Sequence, residues 1–378
     1  MRPANDGLDV FGSVWVTGGE LRANNAFNSS QLLGFPGATL TQSNGVVELY
    51  GEEVYEGTLT VVGGTHEVGF GGLILGDEEF GSTGNVWVVG GQLLVNTLSS
   101  FTEVGEGATG FLTQSNGVVD LYGEIVGDAL FVGGEGTLSV LGGVHTVEDG
   151  GFLVGNNGST GSVLVAGGQL NVEDATIGLN GVGTMTISNG IWLAESVLIG
   201  AEGGNGTLTD AGGTSTVFSN VMIGTEDCTG TGTVIVAGGN LFVTNATHNA
   251  VLEVASGTLL LNSGTLVVDQ LITTNSCGSF KQTGGTLVVG GVTHILAPFQ
   301  ITAIGREGNN LRITWIGIGG NTNVVQATNG MGGNYATNFT DLSSFLILPG
   351  SGNVTTNYLD LGGATNFPAR YYRIRLVP

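Results

Sequence analysis

The chain has 378 residues, of which 71 are glycine and only 6 are proline, and 41% are hydrophobic. This is too apolar for a disordered chain. It has no Gly-X-Y period and no run approaching the ~18 apolar residues of a spanning helix, so disorder, a collagen triple helix and a helical membrane span are all excluded. With 31 acidic against 8 basic side chains, the formal charge of −23 repels nucleic acid, whose affinity rests on neutralised phosphates.

No signal peptide is legible in Met1–Gly12. From Gly12 onward a repeat governs the chain. Twelve starts align at Gly12, Ala38, Gly57, Gly84, Gly110, Gly136, Gly161, Gly183, Gly206, Gly232, Gly257 and Gly278, between 19 and 27 residues apart. Counting each start as position zero, position two is always apolar (Val14, Leu40, Leu59 and so on to Phe280), and so is position eleven (Ala23 to Val289). Positions six and seven form a corner that is usually Gly-Gly, as in Gly63-Gly64 and Gly90-Gly91. A third, looser apolar segment often ends in glycine, as in Leu73–Gly76 and Val197–Gly200.

Alternation within each segment sends alternate side chains to one face, and glycine supplies the positive φ of a sharp corner. Three strands per coil close a triangular tube in which no coil buries its own apolar face, so coils must stack. The expectation is all-β: a right-handed parallel β-helix of about 12 coils over residues 1–296. At ~4.8 Å per coil the rod is roughly 58 Å long.

A longer period overlies the coil. Thr41-Gln42-Ser43-Asn44-Gly45 recurs as Thr113-Gln114-Ser115-Asn116-Gly117, Val14-Trp15-Val16 as Val86-Trp87-Val88, and the His66 coil as the His145 coil. These offsets of about three coils mark an ancestral three-coil unit. His66 and His145 share position nine on the inner face, about 14 Å apart, too far to share a metal. They read as partly buried histidines bonded to backbone. Trp15 and Trp87 occupy outward position three. They read as duplicated surface residues or, alternatively, as contacts to a sugar or partner.

The acids have two readings, a solvated surface or divalent-cation binding. Acidic turns after the third segment make Asp77, Glu78, Glu79, Glu226 and Asp227 candidate calcium ligands, although no EF-hand or nonapeptide calcium loop is present; Glu202 lies in a similar turn. No cofactor is required. A β-helical lyase would need a basic residue beside acidic ligands, but residues 1–296 hold 28 acids with only Arg2, Arg22 and Lys281 as cations. Carboxylates are spread along the coils and no G-x-S-x-G elbow is present, so an enzyme is not expected.

The runs Gly232-Thr-Val-Ile-Val-Ala-Gly-Gly239 and Val197-Leu-Ile-Gly200 resemble the glycine-rich repeat of bacterial type V secretion passengers and PEP-CTERM-associated proteins. The resemblance covers roughly residues 12–293 and implies an exported or cell-surface bacterial protein. Export would favour a disulfide between Cys228 and Cys277. Two coils separate them, roughly 9.6 Å of rise, beyond the usual Cα reach of about 4.4–6.8 Å. However, Val254-Ala255-Ser256 runs into Gly257 without a protruding turn, which leaves the loop bearing Cys228 room to fold across. Pairing and free thiols both remain open.

Near Ala297-Pro298 the charge changes sign. Residues 297–378 hold five arginines against Glu307, Asp341 and Asp360, and read as about seven short strands of a β-sandwich with Trp315 as core anchor. The closing run Ala369–Pro378 resembles the end of a C-terminal module on exported proteins of environmental bacteria, which implies sorting, anchoring or capping.

The first coil starts within the first dozen residues and appears in sequence to leave no room for a cap. Its edge near Val14, Val16 and Leu21 is therefore expected to meet the strand bearing Arg370, Arg373 and Arg375 of another copy. The function expected is a non-catalytic extracellular structural protein, self-assembled head to tail into a surface fibre or matrix. The alternative is a monomeric adhesin stalk or a passenger that binds cell-surface or matrix polysaccharide. A polysaccharide-active enzyme is the third reading.

Overall fold

The structure is a computed structural model and describes residues 8–23, 30–32, 37–77, 82–128, 134–273, 277–295, 300–329, 339–349, 353–365 and 369–377. Glu78 and Glu79 lie outside these. The described residues form two compact units, 1–283 with 288–291, and 284–287 with 292–378.

The first unit is a parallel β-solenoid. Its first face carries twelve strands, one per aligned start, in unbroken parallel register from Ser13↔Thr39 through Phe111↔Thr137 and Thr184↔Thr207 to Thr258↔Ser279. The second face stacks Leu21, Val47, His66, Leu93, Val119, His145, Leu170, Trp192, Ser215 and Leu241 in succession. The third stacks Glu52, Leu73, Thr102, Glu124, Phe152, Ala175, Val197, Val221, Leu252 and Leu271.

Coil lengths vary because insertions fall in turns, while paired segments keep their length. The corner glycines permit this stacking. Gly64 has φ of 80°, and a Cβ there would lie 2.2 Å from the Gly45 carbonyl oxygen of the coil below.

The interior is an aliphatic column. From coil 2 to coil 11 every position-two residue is buried, Leu40 and Leu138 among them, and so is every position-eleven residue. The expected ladders fall short at the ends. Val14, Leu21 and Ala23 of coil 1 and Phe280 and Val289 of coil 12 are only half buried, because burial in a stack comes from two neighbours.

The expectation of an uncapped first coil is also corrected. Leu8–Val10 runs beside Ser30–Leu32: Val10 N–H donates to Gln31 O at 2.9 Å and Gln31 N–H to Leu8 O at 3.0 Å. This covers one face of coil 1. Among the described residues, Ser13–Val16 and Glu20–Ala23 pair on one side only.

The second unit holds two antiparallel sheets. One contains Gln300–Glu307, Asn310–Ile318 and Asn353–Asp360; in the other, Thr322–Thr328 is flanked by Tyr371–Val377, Thr340–Asp341 and Leu346–Ile347. Ile313 and Trp315 of the first sheet and Val325 of the second form the core. Trp315 Nε1–H donates to Asn323 Oδ1 at 3.0 Å, so the buried indole keeps a partner.

Replacing inward Leu138 by Asp is expected to destabilise the rod by about 4 kcal/mol or more, because a charge would enter an aliphatic column. Replacing adjacent outward Thr137 by Asp should cost under about 1 kcal/mol. Urea unfolding of the two variants reads the difference, and equal costs would contradict the inward–outward assignment.

Candidate functional site

Polar residues interrupt the aliphatic column in sets. At inward position four, Gln42 sits in coil 2, Gln114 in coil 5 and Asp210 in coil 9, and all three are fully buried. His66 and His145, expected to be partly buried and bonded to backbone, are fully buried and bonded to side chains.

His66 Nδ1 lies 3.0 Å from Gln42 Oε1 and Nε2 lies 2.7 Å from Glu52 Oε2. His145 repeats this with Gln114 at 3.2 Å and Glu124 at 2.9 Å. Each glutamine donates its amide nitrogen to two carbonyls: Gly45 and Thr65 for Gln42, and Gly117 and Val144 for Gln114. Those acceptors fix the amide orientation, so Oε1 faces the imidazole and Nδ1 carries a proton. A second proton lies between Nε2 and the carboxylate. In both triads the two imidazole nitrogens thereby have side-chain partners, while in the second Glu124 Oε1 is buried without one.

The sequence held a signal for these partners. Leu49-Tyr50-Gly51-Glu52 and Leu121-Tyr122-Gly123-Glu124 recur with the Thr-Gln-Ser-Asn-Gly runs, ten residues after the glutamine in both copies.

Coil 9 carries a shorter set. Ser215 Oγ donates to Asp210 Oδ2 at 2.7 Å, and Oδ1 has no partner. A Cβ on Gly239 would fall 1.4 Å from Oδ1, so that glycine leaves the carboxyl its space. In coils 2 and 5 the equivalent corner offers backbone carbonyls, here those of Gly213 and Asn240. A protonated carboxyl can donate there and an ionised one cannot. Burial pushes Asp210 up to about 6, opposed by the Ser215 hydrogen bond.

Cys228 and Cys277 form a disulfide with their Cα atoms 6.2 Å apart. Cys228 takes φ of 61° in its loop, and Cys277 O accepts from Gly257 N–H. The chain thus closes the two-coil gap where coil 10 has no protruding turn.

Among the described residues, no group of three His, Cys, Asp or Glu side chains is placed to hold a metal ion. The Asp227 carboxylate is occupied by its own turn, accepting from Thr225 Oγ1 at 2.7 Å and from Thr229 N–H and Oγ1, and these bonds lower its pKa. Glu226 stands beside it. Asp77 is in register with Glu106, which is in register with Asp128. Asp128 is bonded by Asn156 and Asn157. Between these carboxylates Glu103 is pushed up to about 7, by burial first and then by Glu106 and Asp128.

The module's arginines have partners within the module. Arg370 lies 3.1 Å from Asp360, Arg375 3.0 Å from Asp341, and Arg373 donates to Gln326 Oε1 at 2.7 Å. Arg373 also stacks over Phe339, with 4.3 Å to the ring centroid.

The outward side of the first face has a composition of its own. Position one reads Ser13, Thr39, Thr58, Asn85, Phe111, Thr137, Ser162, Thr184, Thr207, Thr233 and Thr258 in coils 1 to 11, a near-continuous hydroxyl column. Position three holds Trp15, 69% exposed, and Trp87, 45% exposed, with threonine or serine in six of the other coils and Leu164, Ile235 and Leu260 in coils 7, 10 and 11. At positions one, three and five of these eleven coils no residue is charged. Beside this face, the corners of coils 6 to 9 leave a shallow groove of about 460 Å³ over Gly167, Gly168, Gly190 and Gly213. No family model, curated protein or solved structure matches the chain.

Glu52→Gln is expected to keep the first triad intact, because the new amide donates to Nε2 of a neutral imidazole. His66→Leu leaves the Gln42 oxygen and the Glu52 carboxylate buried without partners and should cost about 2–3 kcal/mol. Chemical denaturation of both variants checks this, and equal losses would contradict the proton assignment.

Asp210 and Glu103 are raised above their unfolded values, so the folded state holds their protons more tightly. That stabilisation is full below the unfolded values and is lost as pH rises through about 6 for Asp210 and about 7 for Glu103. Asp210→Asn should therefore raise the melting temperature at pH 8, by up to about 3 kcal/mol of stability, and flatten the profile between pH 4 and 7. A variant whose pH profile parallels that of the parent chain would contradict the assignment.

Proposed function

We propose that this protein is a non-catalytic extracellular structural protein, a rigid rod that assembles end to end into a surface fibre or matrix. The observation that carries the reading is where the chemically capable side chains are spent. His66, His145, Glu52 and Glu124 are sealed inside the tube, each histidine held between a glutamine and a glutamate, so they serve the stack. The likeness of the repeat to type V passengers and PEP-CTERM-associated proteins supports an exported rod. The Cys228–Cys277 disulfide, which suits an oxidising compartment, supports the same reading.

The unpaired edges of Ser13–Val16 and Glu20–Ala23, with half-buried Val14 and Leu21, offer the contact for assembly. Edge strands recruit further strands unless they are covered, and a head-to-tail contact that does not close propagates as a filament. The module arginines are engaged within the module, so the proposed joint rests on strand pairing and its rim alone is salt-sensitive.

Negative-stain electron microscopy and light scattering of the full chain, over a concentration series with and without calcium, test the reading. Filaments that lengthen with concentration are the expected result. Single rods at every concentration would reject assembly and leave the stalk reading in its place.

A further inference from the structure

We infer that outward positions one, three and five of the first face, which carry no charged residue in coils 1 to 11, form a strip that binds a neutral polysaccharide. The chain carries 31 acidic residues, yet none falls at positions one, three or five of coils 1 to 11. Acids are common on the other faces and corners: Glu48 and Asp120 point outward from the second face, Glu53 and Glu103 from the third. Solubility alone gives no reason to spare one face.

The absence of charge fits the occupant. A cationic or anionic partner would be matched by opposite charges, and a second copy brings its own −23, so apposing two rods along their length is opposed by net repulsion. A neutral hydroxylated polymer meets neither obstacle.

The side chains suit that polymer in two ways. Trp15 and Trp87 stand in one column, exposed and about 14 Å apart along the rod, with exposed Phe111 one coil on in the position-one column, in register with Asn85, as platforms for the apolar faces of sugar rings. The threonine and serine columns add hydroxyls that both donate and accept, at the ~4.8 Å spacing of the coils. Thr39 Oγ1 bonds Ser13 Oγ at 3.0 Å, so the array is ordered along the rod. The sheet is held by its buried ladders, so little conformational entropy is lost on binding.

The site lies on the flank of the rod and is independent of end-to-end assembly. The test is co-sedimentation of the full chain with microcrystalline cellulose, chitin and insoluble β-1,3-glucan as neutral probes, and with polygalacturonate as an anionic one. Retention on at least one neutral probe is expected, unchanged at high salt. Trp87→Ala should weaken it about tenfold. Thr186→Glu, a charge on the same face, should weaken it as well, and Thr176→Glu on the third face should not. Thermal melts confirm that each variant folds. No retention on any neutral probe overturns the inference, as does retention unaffected by Trp87→Ala and Thr186→Glu. Lateral dimers broken by Thr186→Glu, without glycan retention, would assign the face to a second copy instead.

Discussion

Every inward side chain of the rod sits directly between its counterparts in the coils above and below, and the rest of the structure follows from that parallel register. A coil of this size has no core of its own. Its apolar face is buried only when the next coil arrives in register, and a slip by one residue would turn the whole face outward. The paired segments therefore keep constant length while turns absorb the variation in spacing. Glycine at the corner lets one backbone pass over another without a side chain between them, as at Gly64 over Gly45. Where the neighbour is missing, as beside Val14, burial fails.

The same constraint explains why polar residues enter the core as sets. A lone histidine in an aliphatic column would lose its water without gaining a partner, at a cost the stack does not recover. His66 arrives with Gln42 and Glu52, and the duplication that produced His145 carried Gln114 and Glu124 with it. The partners come from neighbouring coils and different faces, so each triad ties the register of two coils together. Asp210 with Ser215 in coil 9 is the reduced form, and there Oδ1 is left without a partner and burial raises the carboxyl's pKa to about 6.

Charge is distributed by face. The carboxylates gather on two faces and at the turns, where water and local hydrogen bonds hold them, as at Asp227 and Asp128. Positions one, three and five of the first face are left without charge in coils 1 to 11, largely hydroxylated and lightly aromatic. In a rod whose interior is fully committed to stacking, outward side chains are free to vary, and a composition bias confined to one face marks where a partner has constrained them. The end assembly and the flank binding proposed above would thus use different surfaces, strand edges for the one and the outward strip of the first face for the other.

The coil, its corner and its inward positions were determined by the sequence alone. Position two of Leu40 or Leu138 and the corner at Gly63-Gly64 repeat at a period no other fold requires, and the chemistry of a repeating apolar face admits only stacking. The seven-strand module around Trp315 was legible for a similar reason, since turn residues separate short alternating runs. The triads were not. Thr-Gln-Ser-Asn-Gly and Leu-Tyr-Gly-Glu are visible twice, but whether Gln42 and Glu52 point inward toward His66 depends on which faces three non-adjacent strands present to one another. The disulfide was undecided by coil spacing because its Cα distance depends on how one loop crosses a coil that lacks a turn. The partners of Arg370 and Arg375 within the module were not legible from net charge, which says nothing about distance. Register along the rod is a local, periodic property and is written in the chain. Contacts across the tube and between sheets depend on the closed three-dimensional path, and only the tertiary structure decides them.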